Sequence, residues 1–208
     1  MDDLKSNGFY KILSINLLPE LKTEIVRKVI HFLIALSPSM AAISRPFTVF
    51  FLIAGTLSYT YMESLRLSGI RIPIVSSLTS MASRPRDIGN FVMGPVTLGL
   101  GTLLALLLYP SPAAAIAIYA LAFGDGFAGL VGKLFGKHKP AFLFGKSVEG
   151  SLACFTAVLI SAYGVSNNIF VAVMAALTAM TVEALPLEDY DNLALPVSVG
   201  MVVQLAML

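Results

Sequence analysis

Long apolar runs separated by short polar segments recur along the chain after residue 24, and they limit the fold more strongly than any motif. Only 12% of the 208 residues are charged and 57% are apolar, whereas an ordinary soluble domain has about 25% charged residues. One soluble core of this size cannot bury so much apolar surface. Because about 20 apolar residues can cross a bilayer as a helix, the sequence predicts an all-α, polytopic membrane helix bundle.

The apolar runs predict about seven transmembrane helices within a single domain, residues 25–208. The predicted spans cover approximately residues 25–43, 47–65, 90–109, 113–135, 148–165, 169–185 and 193–208. Residues 1–24 mix apolar side chains with lysines and contain no run long enough to span. We therefore expect residues 1–24 to form an amphipathic segment on the membrane surface.

Positive charge predicts the orientation of the bundle. Nearly all Lys and Arg residues lie before the first predicted span, between the second and third, or between the fourth and fifth, whereas loops on the opposite side carry only Arg45. The positive-inside rule then predicts a cytoplasmic N-terminus. This orientation brings four polar segments to the cytoplasmic face, namely residues 24–28, 63–86, 133–149 and 183–192.

Asp125 lies inside the fourth predicted span. It is about 12 residues from the start of that run, or about 18 Å at 1.5 Å per residue, which leaves it about 12 Å below the cytoplasmic edge of a 30 Å core. An ionised carboxylate at that depth needs water, a partner or a metal ion, so it indicates a functional site. We expect Asp125 to bind Mg²⁺.

Lysines and glycines follow Asp125 closely. Gly129, Gly132 and Gly136 share a helical stripe with Asp125; such a stripe suits close helix packing and equally allows a ligand to approach the backbone. The lysines of this region are either anchors of a positive-inside loop or phosphate ligands. They are Lys133, Lys137 and Lys139.

Lys146 and Glu149 flank the start of the fifth predicted span, beside Ser147. A helix N-terminus offers free backbone N–H groups to phosphate. Lysines that can neutralise phosphate, beside acids that can hold a hard cation, indicate chemistry on a nucleoside triphosphate.

Two further polar clusters are predicted on the same side of the membrane. Glu24, Arg27, Lys28 and His31 are spaced along one helix face; they form either an interfacial charge cluster with a structural histidine or the wall of a site, with Arg27 and Lys28 binding phosphate and His31 carrying a proton. The second cluster is acidic where the positive-inside rule would favour lysine. Its members are Glu183, Asp191 and Asn192.

These motifs together resemble the dolichol kinase, phytol kinase and CTP-dependent diacylglycerol kinase family. The resemblance rests on E-x-x-R-K-x-x-H at residues 24–31, on D-x-x-A-x-x-x-G-x-x-x-G-K at 125–137, on G-K-S-x-E-G-S at 145–151, and on Glu183 with Asp191-Asn192-Leu193. It implies an integral membrane enzyme that transfers the γ-phosphoryl group of CTP to a lipid alcohol such as a polyprenol, dolichol, phytol or diacylglycerol.

The resemblance also implies roles for the candidate residues. Catalytic residues would be Asp125, Lys146, Glu149, His31, Arg27 and Lys28. CTP would contact Gly129, Gly132, Lys133, Gly136, Lys137, Ser147 and Asn192. One or two Mg²⁺ ions would be held by Asp125 with Glu149, Glu183 or Asp191. The implied partners are CTP, the lipid alcohol and the bilayer, without nucleic acid, and a homodimer is one option for the oligomeric state.

Two other functions are weighed against a kinase. The block at residues 125–151 is also similar to that of phosphatidate cytidylyltransferase, which attaches CMP to a phospholipid; the short segment 183–192, which has no basic residue, departs from that enzyme. A transporter should show two halves with matching interrupted spans. The polar interruption at residues 124–126 has no counterpart in the sequence.

Overall fold

The computed structural model of this chain describes residues 21–70, 73, 79, 81, 83, 87 and 89–208. Most of the predicted surface segment 1–24 therefore lies outside the described residues. The loop 66–90, whose Ser, Thr and Arg residues make it one candidate for cytosine recognition, also lies largely outside them. All regular elements in the described ranges are helical, which confirms the predicted all-α class.

Eight α-helices follow one another through the continuous described ranges 21–70 and 89–208. They are α1 (21–34), α2 (Ser37–Leu67), α3 (Gly94–Leu108), α4 (Ala113–Tyr119), α5 (Gly126–Phe135), α6 (Val148–Ser166), α7 (Ile169–Ala184) and α8 (Asp191–Ala206). A π-helical segment, Ala120–Asp125, joins α4 to α5 without a break. Short 3₁₀ turns cover Ala141–Leu143 and Glu188–Tyr190.

Three helical segments among the described residues are long and apolar enough to cross a membrane. These are Ser37–Leu67, the continuous run Ala113–Phe135 and Val148–Ser166. Helices α3 and α7 are apolar but shorter; the 16 residues of α7 rise about 24 Å, less than a 30 Å hydrocarbon core. The membrane class is therefore supported, and the count of seven spans and the cytoplasmic N-terminus remain predictions.

The first predicted span is not one helix. The expected run 25–43 is divided at residues 35–36, where α1 ends in a turn and α2 begins. Pro38 lies in the first turn of α2, a position that suits proline because it has no N–H to donate. A second interruption occurs at Ser44, whose backbone is extended within α2, two residues before Pro46. Prolines thus set both breaks.

The core of the bundle lies between α6, α7 and α8. Helix α7 presents a stripe of fully buried alanines at helical spacing, which lets its neighbours approach closely; the stripe consists of Ala172, Ala175, Ala176 and Ala179. Glu183 continues this stripe at the end of α7 and is also buried. Because these small residues pack tightly against the neighbouring helices, the Glu183 carboxylate at the end of the stripe lies in the interior.

Helix α2 packs differently, because most of its apolar side chains face outward. Phe47, Phe50, Phe51, Leu57 and Tyr61 are exposed, as expected for a surface in contact with lipid. Its C-terminal end is held by Glu63, which is fully buried. The Glu63 carboxylate accepts hydrogen bonds from the Arg66 guanidinium at 2.7 and 2.8 Å and from the Val92 amide at 2.9 Å.

Candidate active site

A polar cavity of about 270 Å³ lies where α1, α5, α6, α7 and α8 converge. Three of the four polar segments that were expected to meet contribute to it. Its charged and hydroxyl-bearing side chains are Glu24, Lys28, Asp125, Lys133, Lys139, Lys146, Ser147, Ser151, Glu183 and Asp191. Acids and lysines are therefore mixed on one concave surface, as phosphate and cation binding would require.

Asp125 forms the centre of a buried charge cluster with α1. Its Oδ2 lies 2.7 Å from Lys28 Nζ and 3.0 Å from His31 Nδ1, and the Lys28 ammonium is also 3.6 Å from Glu24. Asp125 is 8% exposed and Lys28 only 2% exposed. The intramembrane acid thus has a cationic partner, which offsets much of the cost of its burial.

The sequence favours this meeting of α1 with the π-helical segment. Asp125 is the last residue of that segment, and single π-helical turns are frequent at functional sites. A Cβ atom at Gly129 would lie 2.4 Å from Lys28 Cε, and one at Gly126 would lie 2.5 Å from the Phe32 ring. A side chain at Gly129 would therefore displace the Lys28 side chain, and one at Gly126 would displace the Phe32 ring.

Arg27 and His31 line a separate, smaller cavity near the start of α3. Arg27 donates to Glu24 at 3.1 Å, and His31 lies 3.0 Å from Asp125 but is not among the residues that line the polar cavity. Two residues of the predicted α1 face, Glu24 and Lys28, therefore line the polar cavity. The other two, Arg27 and His31, contact the acidic residues Glu24 and Asp125.

Lys146 and Glu183 form a second ion pair in the cavity. Lys146 Nζ lies 2.9 Å from Glu183 Oε1 and also donates to the backbone carbonyl of Glu183. The second carboxylate oxygen of Glu183 is buried and has no hydrogen-bond partner among the described residues. Glu183 can therefore accept a further ligand.

Ser147 and the neighbouring glycines hold α5 against the start of α6. The Ser147 hydroxyl accepts a hydrogen bond from the Gly150 amide at 3.1 Å and caps α6. A Cβ atom at Gly136 would lie 2.6 Å from this hydroxyl, and one at Gly132 would lie 3.1 Å from it. These contacts support the helix-packing role of the glycine stripe, while Gly129 and Gly132 also line the cavity.

Three other predicted residues lie outside the described lining of the polar cavity. The Glu149 carboxylate lies 2.7 Å from His138 Nδ1, Asn192 donates to the Thr97 hydroxyl at 2.9 Å and joins α8 to α3, and Lys137 follows the end of α5. Their roles in catalysis, metal binding and CTP binding remain predictions.

Asp191 begins α8, just before the last predicted span, and lines the cavity. Burial raises the pKa of this carboxyl group from its ordinary value of 3.8 to about 7, and the negative charge of nearby Asp125 contributes in the same direction. The carboxyl group can therefore exchange a proton near neutral pH.

The fit of these acids to Mg²⁺ depends on how many protein ligands the ion needs. The described residues contain no group of three or more His, Cys, Asp or Glu side chains arranged to hold a metal ion. Mg²⁺ bound to a nucleotide commonly uses one or two carboxylates, with phosphate and water as its other ligands. The free oxygen of Glu183 and the buried carboxyl group of Asp191 suit that mode.

Sequence reasoning did not identify every residue of the cavity. Gly145, Gly150 and Ser151 line it, although none was assigned a role. The pairing of Lys28 with Asp125 was also not predicted. Two features of the sequence could have indicated it: a buried acid requires a partner, and Lys28 was predicted on the same side of the membrane. The His138–Glu149 pair gave no comparable signal.

Comparison with known proteins finds relatives that carry a common name. The chain is 29% identical over 164 residues to a phytol kinase of Synechocystis, an alignment that covers 71% of this chain and 66% of that protein. It is 29% identical to a probable chloroplastic phytol kinase of Triticum aestivum, over 62% of this chain and 48% of the relative. A probable chloroplastic phytol kinase of Zea mays is 26% identical, with 68% and 54% covered.

The alignments thus span about half to two thirds of the relatives' own length. No family model matches the chain, and no solved structure matches it. The shared name of the relatives, together with the extent of this chain that aligns to them, agrees with the motifs at residues 24–31, 125–151 and 183–193. These similarities support the phytol and polyprenol kinase family as the one that this chain resembles.

Proposed function

We propose that this protein is a lipid kinase that transfers the γ-phosphoryl group of CTP to the hydroxyl of an isoprenoid alcohol at the cytoplasmic face of a membrane. The observation that carries the proposal is one cavity in which the Lys28–Asp125 and Lys146–Glu183 pairs face each other among apolar helices. The names of the relatives support a lipid alcohol as acceptor, and the choice of CTP rests on the motif resemblance.

The cations of the cavity would bind the triphosphate. Lys133, Lys139 and Lys146 line the cavity, and ammonium groups stabilise the charge that develops on a transferred phosphoryl group. Glycines at residues 129, 132 and 145 leave backbone surface beside these lysines. The phosphates can therefore approach the main chain closely.

Phosphoryl transfer requires an acceptor for the hydroxyl proton. The alcohol oxygen forms a bond to the γ-phosphorus, the bond from that phosphorus to the β-phosphate oxygen breaks, and the nucleoside diphosphate leaves with the bonding electrons. We assign the proton to an acid of the cavity that does not bind the metal ion, because such a carboxylate can accept it. His31 faces a different cavity and is better suited to orient Asp125.

One or two of the acids Asp125, Glu183 and Asp191 would hold Mg²⁺ together with the donor phosphates. A divalent cation would neutralise phosphate charge and help to align the γ-phosphorus with the acceptor. The paired lysines Lys28 and Lys146 keep two of these acids in position while the donor is absent.

A labelling experiment tests the proposal directly. The purified protein in phosphatidylcholine vesicles is incubated with phytol, Mg²⁺ and CTP labelled at either the α or the γ position, and the lipids are separated by thin-layer chromatography. We expect γ label and no α label in a product that migrates as phytyl phosphate. Label from the α position would instead indicate cytidylyl transfer, and no labelled lipid with any alcohol and any γ-labelled nucleoside triphosphate would refute the kinase.

The same assay compares donors and acceptors. ATP, GTP and UTP are supplied in place of CTP, and dolichol, geranylgeraniol and diacylglycerol in place of phytol. The proposal expects CTP and an isoprenoid alcohol to give the highest kcat/KM. A preference for ATP would refute the choice of CTP and leave the kinase intact.

A further inference from the structure

An apolar groove of about 490 Å³ runs beside the polar cavity. Its walls come from the 3₁₀ turn Ala141–Leu143, the first turns of α6 and the end of α7. Phe142, Phe144, Leu152, Met180 and Leu185 line it. Phe142 is 72% exposed and Leu152 is 61% exposed, so the groove is open to the side, where the hydrocarbon of a bilayer would lie.

Ser151 lies at the junction between this groove and the polar cavity, because it lines both. Its side chain is only 7% exposed. Its hydroxyl oxygen has no hydrogen-bond partner among the described residues. Buried hydroxyls are nearly always paired, so an unpaired hydroxyl between an apolar groove and a phosphate-binding cavity indicates a ligand with a polar end and an apolar chain.

One turn of the backbone serves both sides of this junction. Phe144 and Gly145 both adopt positive φ angles, of 50° and 88°, and the Lys146 amide donates to the Leu143 carbonyl at 2.9 Å. The turn directs Phe144 into the groove, whereas Gly145 and Lys146 line the polar cavity. A chain in the groove would therefore end beside a lysine proposed to bind the donor phosphates.

We propose that the groove binds the hydroxyl-proximal part of an isoprenoid chain and that Ser151 forms a hydrogen bond with the acceptor hydroxyl. The inference rests on the proposed kinase function and adds to it the acceptor subsite. Exposed apolar residues elsewhere, such as Phe50 on α2 and Ile160 on α6, can be covered by any bilayer lipid. The groove differs from them because it is concave and is continuous with the polar cavity through Ser151.

Substitutions on α6 test the groove with a control on the same helix. Leu152→Trp places a bulky ring in the groove, whereas Ile160→Trp adds the same ring to an exposed position outside its described lining. We expect Leu152→Trp to raise the KM for phytol at least tenfold and to leave the KM for CTP within twofold. Ile160→Trp should change neither value. Equal effects of the two variants on phytol would overturn the inference.

Ser151→Ala tests the hydroxyl separately. Loss of one hydrogen bond to the acceptor should lower kcat/KM for phytol about threefold to tenfold, with the KM for CTP unchanged. Ser161→Ala is the control, because the Ser161 hydroxyl donates to the Val158 carbonyl within α6 and should not affect either substrate. A Ser151→Ala variant that retains full kcat/KM for phytol would contradict the proposed contact.

Photolabelling gives a readout that does not require turnover. A phytol analogue with a diazirine near its hydroxyl is irradiated with the purified protein, and the labelled residues are mapped by mass spectrometry. We expect label at residues 142–152 and near Met180, suppressed by excess phytol. Label that is spread over exposed helices such as α2, and that excess phytol does not suppress, would overturn the inference that the groove binds the isoprenoid chain.

The tests of the groove and the assay for transfer of γ label separate this inference from the proposed function. Competed label in the groove without transfer of γ label from any nucleoside triphosphate would retain the groove and refute the kinase. Transfer of γ label, with Leu152→Trp behaving like Ile160→Trp, would retain the kinase and refute the groove. Suppression of the photolabel by excess diacylglycerol but not by phytol would show that the groove binds a different lipid and would overturn the assignment to an isoprenoid chain.

Discussion

The ammonium group of Lys28 lies 2.7 Å from a carboxylate oxygen of Asp125, although 97 residues separate the two in sequence. Both side chains are buried. A charge left alone in such a place is far more costly than a pair, so each residue depends on the other. The contact also joins α1 to the π-helical segment that ends at Asp125. It is therefore a structural as well as a chemical feature of the site.

Removing one member of this pair should destabilise the protein more than removing both. We expect Lys28→Met to lower the free energy of unfolding by about 3–5 kcal/mol, because the Asp125 carboxylate loses its cation in a buried position. The double variant Lys28→Met with Asp125→Asn should recover much of that stability. Thermal unfolding in detergent measures this, and a double variant no more stable than Lys28→Met would contradict it.

Recovery of stability should not bring recovery of activity. We expect Asp125→Asn, alone or with Lys28→Met, to lower lipid phosphorylation at least a hundredfold, since the carboxylate is proposed to act at the donor phosphates. Glu188→Gln is the control, because Glu188 is exposed and lies outside the described lining of the polar cavity. Full activity in a stable Asp125→Asn protein would show that the cavity is not the active site.

Lys146 should contribute to nucleotide binding more than the lysines outside the cavity. It lines the cavity and pairs with Glu183 at 2.9 Å, whereas Lys137 is not among the residues that line it. We expect Lys146→Met to raise the KM for CTP about tenfold, which corresponds to about 1.4 kcal/mol. Lys137→Met should have a smaller effect. Lys22→Met, an exposed change on α1, is the control.

Steady-state kinetics with CTP as the varied substrate would distinguish these three variants. If Lys137→Met raises the KM as much as Lys146→Met, the donor phosphates bind along the loop after α5 and not in the cavity. If Lys22→Met has the same effect, the KM reflects general surface charge.

Two glycines of α6 should respond oppositely to alanine. A Cβ atom at Gly150 would lie 2.8 Å from the Ala128 carbonyl oxygen and 3.2 Å from the Gly132 Cα. Because these are backbone atoms, the helices must separate, and we expect Gly150→Ala to lower the free energy of unfolding by about 1–3 kcal/mol. A Cβ atom at Gly164 would meet no other described residue within 4 Å, so Gly164→Ala should raise the free energy of unfolding by about 0.5–1 kcal/mol.

Parallel thermal unfolding of the two alanine variants checks this difference. The Gly150→Ala protein should melt at a lower temperature than the parent and Gly164→Ala at an equal or higher one. A Gly150→Ala protein as stable as the parent would mean that α5 and α6 are not in close contact at this point.

Apolar runs predicted the helices well because polar or proline-containing segments bound them. The prediction 148–165 agrees with α6 (Val148–Ser166), and 113–135 agrees with the continuous run from Ala113 to Phe135. Breaks inside an apolar run were harder to predict. The division at residues 35–36 and the π-helical turn before Asp125 depend on local backbone geometry, which hydropathy does not report.

The composition of the site was predicted better than the direction of its side chains. Placing charged segments on one side of the membrane correctly grouped Lys28, Asp125, Lys146, Glu183 and Asp191. It could not distinguish them from neighbours on the same segments that make other contacts, because the rotation of each helix depends on packing against distant residues. Glu149 contacts His138 for this reason, and Asn192 contacts Thr97.

Asp191 should make the stability of the protein depend on pH. Burial raises the pKa of its carboxyl group to about 7 from an ordinary value of 3.8, so the folded state binds this proton more tightly than the unfolded state. The contribution of Asp191 to stability should therefore fall as the pH rises from about 4 to about 7 and stay constant above that. Asp191→Asn should remove this loss and stabilise the protein at pH 8 relative to the parent.

The melting temperatures of the parent and of Asp191→Asn are measured from about pH 4.5 to about pH 8.5 without divalent cations. Their difference isolates the titration of Asp191 from that of all other groups. The difference should grow with pH up to about 7, whereas the parent and the Glu188→Gln control should differ by a constant amount. Mg²⁺ should then stabilise the parent more at pH 8 than at pH 5, because the ion binds the ionised carboxylate. A parent–variant difference that does not change with pH would refute the raised pKa, and equal stabilisation of the Asp191→Asn protein by Mg²⁺ would remove Asp191 from the proposed metal ligands.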